Sequence, residues 1–276
     1  MKRVLIPTDF SDCANHASNI GLELAKKLNA EVSFLHLINT PVDWVKLSLE
    51  KEALYPETKT AIGDAKDALL KLERRAEKLG VEANSLLLFN QGVEEIQNYI
   101  SKEKYSLVVM GTHGEKGMEK LMGSNTQRVL KHSPVPVLSV KQSDRPAPLR
   151  KIGIASDFQE DSKKSFLDIL ELIKRFGLEI DVVYVNTPYT FMESNQIEKA
   201  MDAFLSEQTN VKEKRFVYNA KNEERGIGMY IASENPDMLA TITHQHSNLG
   251  KIFNPGVTEN IINHFDLPVL SINLKK

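Results

Sequence analysis

Residues 125–140, "NTQRVLKHSPVPVLSV", lie without a gap over residues 257–272, "VTENIINHFDLPVLSI", at an offset of 132. Both stretches close on Pro-Val-Leu-Ser, a proline followed by a short β-rich apolar run. Working outward from them, "RVLIPTDF" (3–10) resembles "KIGIASDF" (151–158), with Asp9 facing Asp157 at an offset of 148. "FLHLINTP" (34–41) and "DVVYVNTP" (181–188) share Asn-Thr-Pro at an offset of 147, so the second copy is about 16 residues shorter between its second strand and its last. A period this long is no solenoid repeat, and each copy should carry its own core. The chain reads as two equivalent domains, 1–142 and 151–276. Residues 143–150, part of the proline-bearing "KQSDRPAPLRK" (141–151), form the linker.

Within the first copy, short apolar runs alternate with helical spacing. "RVLIPT" reads as a strand. From Ser11, a candidate N-cap, to Leu28, the residues Ala14, Ala17, Gly21, Leu24 and Leu28 recur at helical spacing, and Asn29 suits the exit. "EVSFLHLI" (31–38) is a second strand. Asp64 to Leu79 carry one apolar face closed by Gly80. "SLLLF" (85–89), "SLVVM" (106–110) and "VPVLSV" (135–140) supply three more strands, separated by helices at 93–104 and 124–132. Near-continuous apolar strands separated by helices predict an α/β fold. It consists of two tandem Rossmann-like, doubly wound domains, each with a five-stranded, mostly parallel sheet flanked by helices. In such sheets ligands bind beyond the carboxyl ends of the strands, where the winding reverses.

Bulk composition narrows the function. Among 276 residues, 35 basic side chains stand against 37 acidic ones, a net charge of −2 that gives no electrostatic footprint for nucleic acid or a membrane surface. The single cysteine, Cys13, cannot form an internal disulfide, which fits a reducing compartment. Pro7 and Asp9 cut the N-terminal apolar stretch too short for a signal peptide. No apolar run approaches the ~18–20 residues that span a bilayer. The expectation is a soluble, cytoplasmic protein with neither nucleic acid nor membrane as a partner.

Beyond the fourth strand runs "GTHGEKGMEKLMGSNT" (111–126). Gly111 and Gly114 permit positive φ and close backbone approach to an anion, and successive N–H groups can form a nest. Gly123, Ser124, Asn125 and Thr126 then open a helix whose free amides and positive dipole end favour phosphate. The same glycines equally suit a plain strand-to-helix turn, and glycine spacing alone leaves both readings open. No Lys follows as Gly-Lys-Ser/Thr, so this is no Walker A loop, and Gly-x-Gly-x-x-Gly is absent.

Together "VLIPTDFS", "FLHLI", "VVMGTHG" and "GSNTQRVLKHSPVPVLSV" resemble the universal stress proteins in their tandem two-domain form, across essentially the whole chain. The nucleotide-binding members of that family hold ATP through Gly-x-x-Gly, nine residues, then Gly-Ser/Thr. The resemblance implies an ATP ligand, with or without Mg, and a site carried position by position. By that resemblance Asp9, beside Pro7 and Thr8, matches the adenine-end aspartate, with a cap on the turn at Phe10-Ser11 as its other reading, and Leu37 matches the second-strand residue offering backbone contacts to adenine. Gly111, Gly114, Gly123 and Ser124 form the ribose-phosphate loop, and Asn125 and Thr126 supply helix-start amides. His113 sits inside the loop, where reaching a phosphate and a simple loop role are both open. One departure stands out: eight residues, 115–122, separate Gly114 from Gly123. The family also pairs domains through their last strands, which implies an intramolecular pseudo-dimer, with a homodimer as a further option.

The second copy departs more. Thr243 replaces Gly111, His246 replaces Gly114, Pro255 replaces Gly123 and Gly256 replaces Ser124. Proline has no N–H to donate, and a histidine obstructs close backbone approach. The phosphate cradle of the second copy reads as defunct although Asp157 survives. His244, His246 and His264 lack an established metal-ligand spacing, and no metal site is assigned. His36 reads as a satisfied strand histidine and Cys13 as a small packing residue. Trp44, in the long connection at 41–60, fits a lid or an interaction surface. The loop charges Glu115, Lys116, Glu119 and Lys120 form a solvated face rather than catalytic machinery. The expected function is an ATP-binding stress-response regulator with its site in the first domain and no dedicated catalysis. A nucleotide-independent scaffold and a slow ATP hydrolase are the alternatives.

Overall fold

The computed structural model describes residues 2–90, 95–113, 122–142, 149–206, 212–243 and 255–274. Four consecutive buried residues, Val4 to Pro7, make β1 (Lys2–Pro7) an interior strand. The next helix, α1 (Asp12–Leu28), starts and stops where its caps dictate. Ser11 accepts from the Ala14 amide, and Asn29 ends the helix in the left-handed region at φ 49°. β2 (Ala30–Asn39) follows directly, then a 3-10 turn at Trp44–Lys46, the short α2 (Leu49–Glu52) and α3 (Pro56–Lys78). The half is completed by β3 (Ala83–Asn90), α4 (Glu95–Lys102), β4 (Leu107–Gly111), α5 (Ser124–His132) and β5 (Val137–Val140).

The second half repeats this order as β6 (Lys151–Ala155), α6 (Glu160–Phe176), β7 (Glu179–Asn186), α7 (Ser194–Leu205), β8 (Glu213–Asn219), α8 (Glu223–Glu234), β9 (Met238–Thr243), α9 (Pro255–His264) and β10 (Val269–Asn273). Its shortening falls between the second and third strands. The helix there, α7, has 12 residues where α3 has 23, and the loop before it is also shorter. α3 itself begins earlier than Asp64, because Pro56 opens it at a position where the missing N–H costs nothing.

The ten strands among the described residues form one sheet in the order β3-β2-β1-β4-β5-β10-β9-β6-β7-β8. Pairing is parallel throughout except between β5 and β10, which run antiparallel with Val269 opposite Ser139 and Ser271 opposite Val137. Each half is therefore wound 3-2-1-4-5 and reverses between its first and fourth strands. In the first half that crevice is bounded by the residues after Pro7 and those after Gly111. The register Pro7 opposite Leu35 and Ala155 opposite Val183 gives one structural offset of 148 for both first and second strands. Asn-Thr-Pro, matched at 147, is thus one residue out of step, and His36 rather than Leu37 stands where Tyr184 stands.

Candidate functional site

Where β1 ends, the chain makes a tight turn held by hydrogen bonds from its own side chains. The Thr8 amide donates to the Leu35 carbonyl at 2.8 Å, the last rung of the β1–β2 ladder. Thr8 Oγ1 then accepts from the Phe10 amide at 3.0 Å, and Asp9 Oδ1 accepts from the Ser11 amide at 3.1 Å and the Ser11 hydroxyl at 2.6 Å. These bonds hold Phe10 in the left-handed region at φ 66°, an uncommon place for a bulky side chain. The turn swings the Phe10 ring to 4.4 Å from the His36 ring, and His36 Nδ1 lies 2.7 Å from the Thr8 carbonyl. A carbonyl only accepts, so Nδ1 carries the proton and Nε2 presents a lone pair. Burial holds the His36 pKa below its ordinary value, against the opposing pull of the Thr8 carbonyl and the Asp9 carboxylate. Thr8 and Pro7 are buried, while Asp9 and Leu37 are half-buried. Backbone groups alternate sides along a strand, so Leu37 directs its N–H and C=O to the same side as Leu35, past the end of β1.

Across the crevice, β4 ends at Gly111 and α5 begins at Ser124. Among the described residues the glycines with positive φ are Gly80 and Gly177, so Gly111 is not glycine for its φ. A Cβ there would lie 3.0 Å from Cys13 Sγ and 3.2 Å from the Ala14 nitrogen. Its bareness admits the first turn of α1, which corrects the conformational reason expected from sequence. Cys13 is buried at this contact, its thiol donating to the Val140 carbonyl at 3.2 Å. The Thr112 carbonyl accepts from the Gly123 amide at 2.9 Å, and Thr126 Oγ1 donates to the Gly111 carbonyl at 3.0 Å. Thr126 is buried, so its hydroxyl fastens α5 to β4 instead of facing a ligand. Ser124 and Asn125 are exposed, and Gly123 brings no side chain to cap the helix. Among the described residues, the first turn of α5 receives no side-chain bond from its N-cap residue. His113 bonds its neighbour Thr112, Nδ1 to Oγ1 at 2.7 Å. Gly114 and the charged residues Glu115, Lys116, Glu119 and Lys120 lie outside the described residues.

A doubly wound half with such a crevice, made twice in one chain, matches known proteins. The universal stress protein family model matches residues 1–141 and again 148–273. The chain belongs to the universal stress protein family. A universal stress protein of Methanocaldococcus jannaschii is 35% identical over 143 residues, covering 51% of this chain and 82% of its own length. One from Bacillus subtilis is 29% identical over 147 residues, covering 50% of this chain and 98% of its own. A solved universal stress protein from Archaeoglobus fulgidus covers 99% of this chain and 98% of its own at a TM-score of 0.75 and 19% identity, a likeness of fold.

This universal stress protein builds the same strand-end turn a second time and then closes it. Phe158 stands at φ 51°, its amide donating to Ser156 Oγ at 3.2 Å, and Asp157 Oδ1 accepts from the Gln159 amide at 3.2 Å. Here, however, Ser162 donates a further bond of 2.7 Å to Asp157, which is only 2% exposed. Phe158 packs among Phe166, Tyr184 and Phe204 at centroid distances of 5.3–6.2 Å. Tyr184 occupies the place of His36, its hydroxyl donating to the Thr190 carbonyl at 2.9 Å and its pKa pushed by burial up to about 12. Asn186 ties the following loop down through Met192, accepting from its amide at 3.0 Å and donating to its carbonyl at 3.2 Å. At the other side of that crevice Thr243 bonds Thr258 hydroxyl to hydroxyl at 3.0 Å, in the places of Gly111 and Thr126. Pro255 opens α9 where Gly123 stands before α5.

The sequence puts Asp9 at the end of the first strand, where the structure has it, and does not single out the Phe10–His36 pair. The signal is present, since Phe follows Asp in both copies, but a strained Phe is not legible from residue type. Trp44 turns inward, packing with Ile38, Ile62 and Ala65, while Val45, Leu49 and Leu54 face solvent. His264 pairs with Glu224 at 2.6 Å, and His244 and His246 lie outside the described residues. Among the described residues, no cluster of three His, Cys, Asp or Glu side chains is placed to hold a metal, and no helix is long and apolar enough to cross a membrane.

Proposed function

We propose that this chain is a nucleotide-binding stress regulator that holds one ATP, in the first half, between the Asp9 turn and the start of α5. The observation that carries the reading is the contrast between the two copies of one turn. Asp9 is left half-exposed across from a helix whose N-cap, Gly123, has no side chain, whereas Asp157 is 2% exposed and bonded by Ser162. The fit to ATP rests on three groups. The Asp9 carboxylate accepts from the adenine amine. The Leu37 backbone, beyond the end of β1, pairs with the ring edge. The amides of Ser124, Asn125 and Thr126 meet phosphate at the positive end of α5. Gly111 lets α1 and β4 close behind the ligand, and Gly114 and His113 belong to the loop that would follow the ribose. Pro7 and Thr8 set the turn rather than touch the ligand. Residues 1–142 and 151–276 are the two domains, joined by 143–150, and we take their contact through β5 and β10 as an intramolecular pseudo-dimer.

Calorimetry on the purified chain tests this directly. One ATP per chain is expected, and two would defeat the asymmetry. Asp9→Asn keeps an oxygen for Ser11, so the turn survives, but it removes a charge-assisted bond. Affinity should fall by about 10- to 100-fold. An unchanged Kd would remove Asp9 from the site. A second reading, a nucleotide-independent interaction protein, draws on Tyr189 and Phe191. They stand 88% and 69% exposed on a loop pinned by Asn186 and Tyr184. No heat at millimolar ATP would favour it.

A further inference from the structure

The two halves exchange helix caps. Asn273, at the end of β10, donates its side-chain amide to the carbonyls of Leu130 at 2.8 Å and Ser133 at 3.1 Å, at the last turn of α5. Lys141, directly after β5, does the same for α9, its Nζ donating to the carbonyls of Asn263 at 2.8 Å and Phe265 at 3.0 Å. Lys141 and Asn273 are equivalent positions at the offset of 132, so one geometry is built from two different residues. Lys141 is also 3.5 Å from Asp266.

The caps have unequal consequences. α9 begins with a proline in the closed half, whereas α5 begins at the open crevice. α5 has nine residues, about 13 Å of helix, and its buried anchors are Thr126, Val129 and Leu130. Its C-cap, Ser133, is extended and offers no left-handed glycine closure. The carbonyls of Leu130 and Ser133, at the end of α5, are therefore satisfied from the other half of the molecule. A short helix moves as a rigid rod, so the bond that fixes its last turn also fixes the direction of its first.

We propose that Asn273 of the second half is a positioning residue for the phosphate end of the first-half site, acting through α5 without touching the ligand. The inference rests on the site proposed above. It gives the half with the closed crevice a role, which is to hold the open one in register. By linkage, a ligand at the start of α5 tightens the Asn273 contact as much as that contact tightens the ligand.

Asn273→Ala should weaken ATP binding by about 3- to 30-fold, the range of couplings carried by residues that contact neither ligand. Asn273→Lys, which installs the side chain that caps α9 from position 141, should restore it. Lys141→Met disturbs the same junction but uncaps α9 instead, and should leave the ATP Kd unchanged. The amide resonances of Ser124, Asn125 and Thr126 give a readout independent of nucleotide. They should shift in Asn273→Ala, return in Asn273→Lys and hold still in Lys141→Met. Wild-type binding with an unaltered Kd in Asn273→Ala would overturn the positioning role alone. Equal loss in Lys141→Met would reduce it to general stability. If wild-type protein gives no heat with ATP, the site assignment fails, while the α5 amides still decide for or against Asn273.

Discussion

Gly111 and Gly123 look alike in the sequence and do different work. A Cβ at Gly111 runs into Cys13 Sγ and backbone atoms of α1 at 3.0–3.2 Å, whereas among the described residues one at Gly123 meets the Thr112 carbonyl at an ordinary 3.5 Å. Gly111→Ala should therefore cost about 1–3 kcal/mol by overpacking. Gly123→Ala should cost about 1 kcal/mol or less, the ordinary loss at an N-cap. Urea denaturation of the two variants decides it, and equal midpoints would show that Gly111 is not needed for packing. His36 gives a prediction in pH. Burial lowers its folded pKa below the unfolded value of about 6.5, so the unfolded chain takes up the proton first as pH falls. Its contribution to stability is fully present above about pH 6.5 and is lost as pH drops toward the folded pKa. His36→Gln, which keeps a donor for the Thr8 carbonyl, should flatten the fall in Tm between about pH 7.5 and about pH 5.5. A fall as steep as in the wild type would place the sensitivity elsewhere. Asp9 is readable from its place after an apolar strand, but the Phe10–His36 pair is not. It depends on a positive φ that Thr8 and Asp9 impose through their own hydrogen bonds.

Helix caps and apolar spacing make most elements legible, and the misses have local causes. α1 matches its sequence bounds because Ser11 and Asn29 use strong capping chemistry. The apolar face of α3 gives too short a helix because Tyr55, its N-cap, has no side-chain cap bond, and Pro56 is the remaining start signal. Asn-Thr-Pro aligns the second strands one residue out because it lies past the last rungs shared with the first strand, at Leu35 and Val183. That slip matters, since it hides the exchange of a half-buried His36 for a buried Tyr184. The exchange makes the two turns unequal in energy. Phe158 is 6% exposed and packs on three aromatic rings, while Phe10 is half-buried against the His36 ring. Phe158→Ala should cost about 3–5 kcal/mol, the range for a fully buried aromatic. Phe10→Ala should cost visibly less. Paired chemical denaturation measures the difference, and a Phe10→Ala loss as large as that of Phe158→Ala would contradict the closed-and-open contrast between the halves.

The junction of the halves sets how the whole molecule behaves. β5 and β10 are short and buried, and each is an interior strand only because the other is there. Repetition along the chain announces two copies of one fold. That they share one sheet depends on an antiparallel register that no local pattern encodes. Separating the halves would leave Val137, Leu138, Ser139 and Val140 as an apolar edge with unpaired N–H and C=O groups. Such an edge is a template for another strand. The β5–β10 pairing is antiparallel, the geometry that a two-fold axis produces, so a second copy of the first half can supply a strand with the same direction and spacing. A fragment of residues 1–142 should accordingly self-associate as a dimer, with a weight-average mass that rises with concentration in sedimentation equilibrium. Leu138→Lys, placed opposite its own copy across that axis, should return it to monomer. In the intact chain the same position faces Leu270, so one lysine there should lower stability without changing the oligomeric state. A wild-type fragment that stays monomeric and folded at every concentration would show that β5 needs no partner. The ten-strand sheet would then be two independent halves laid edge to edge.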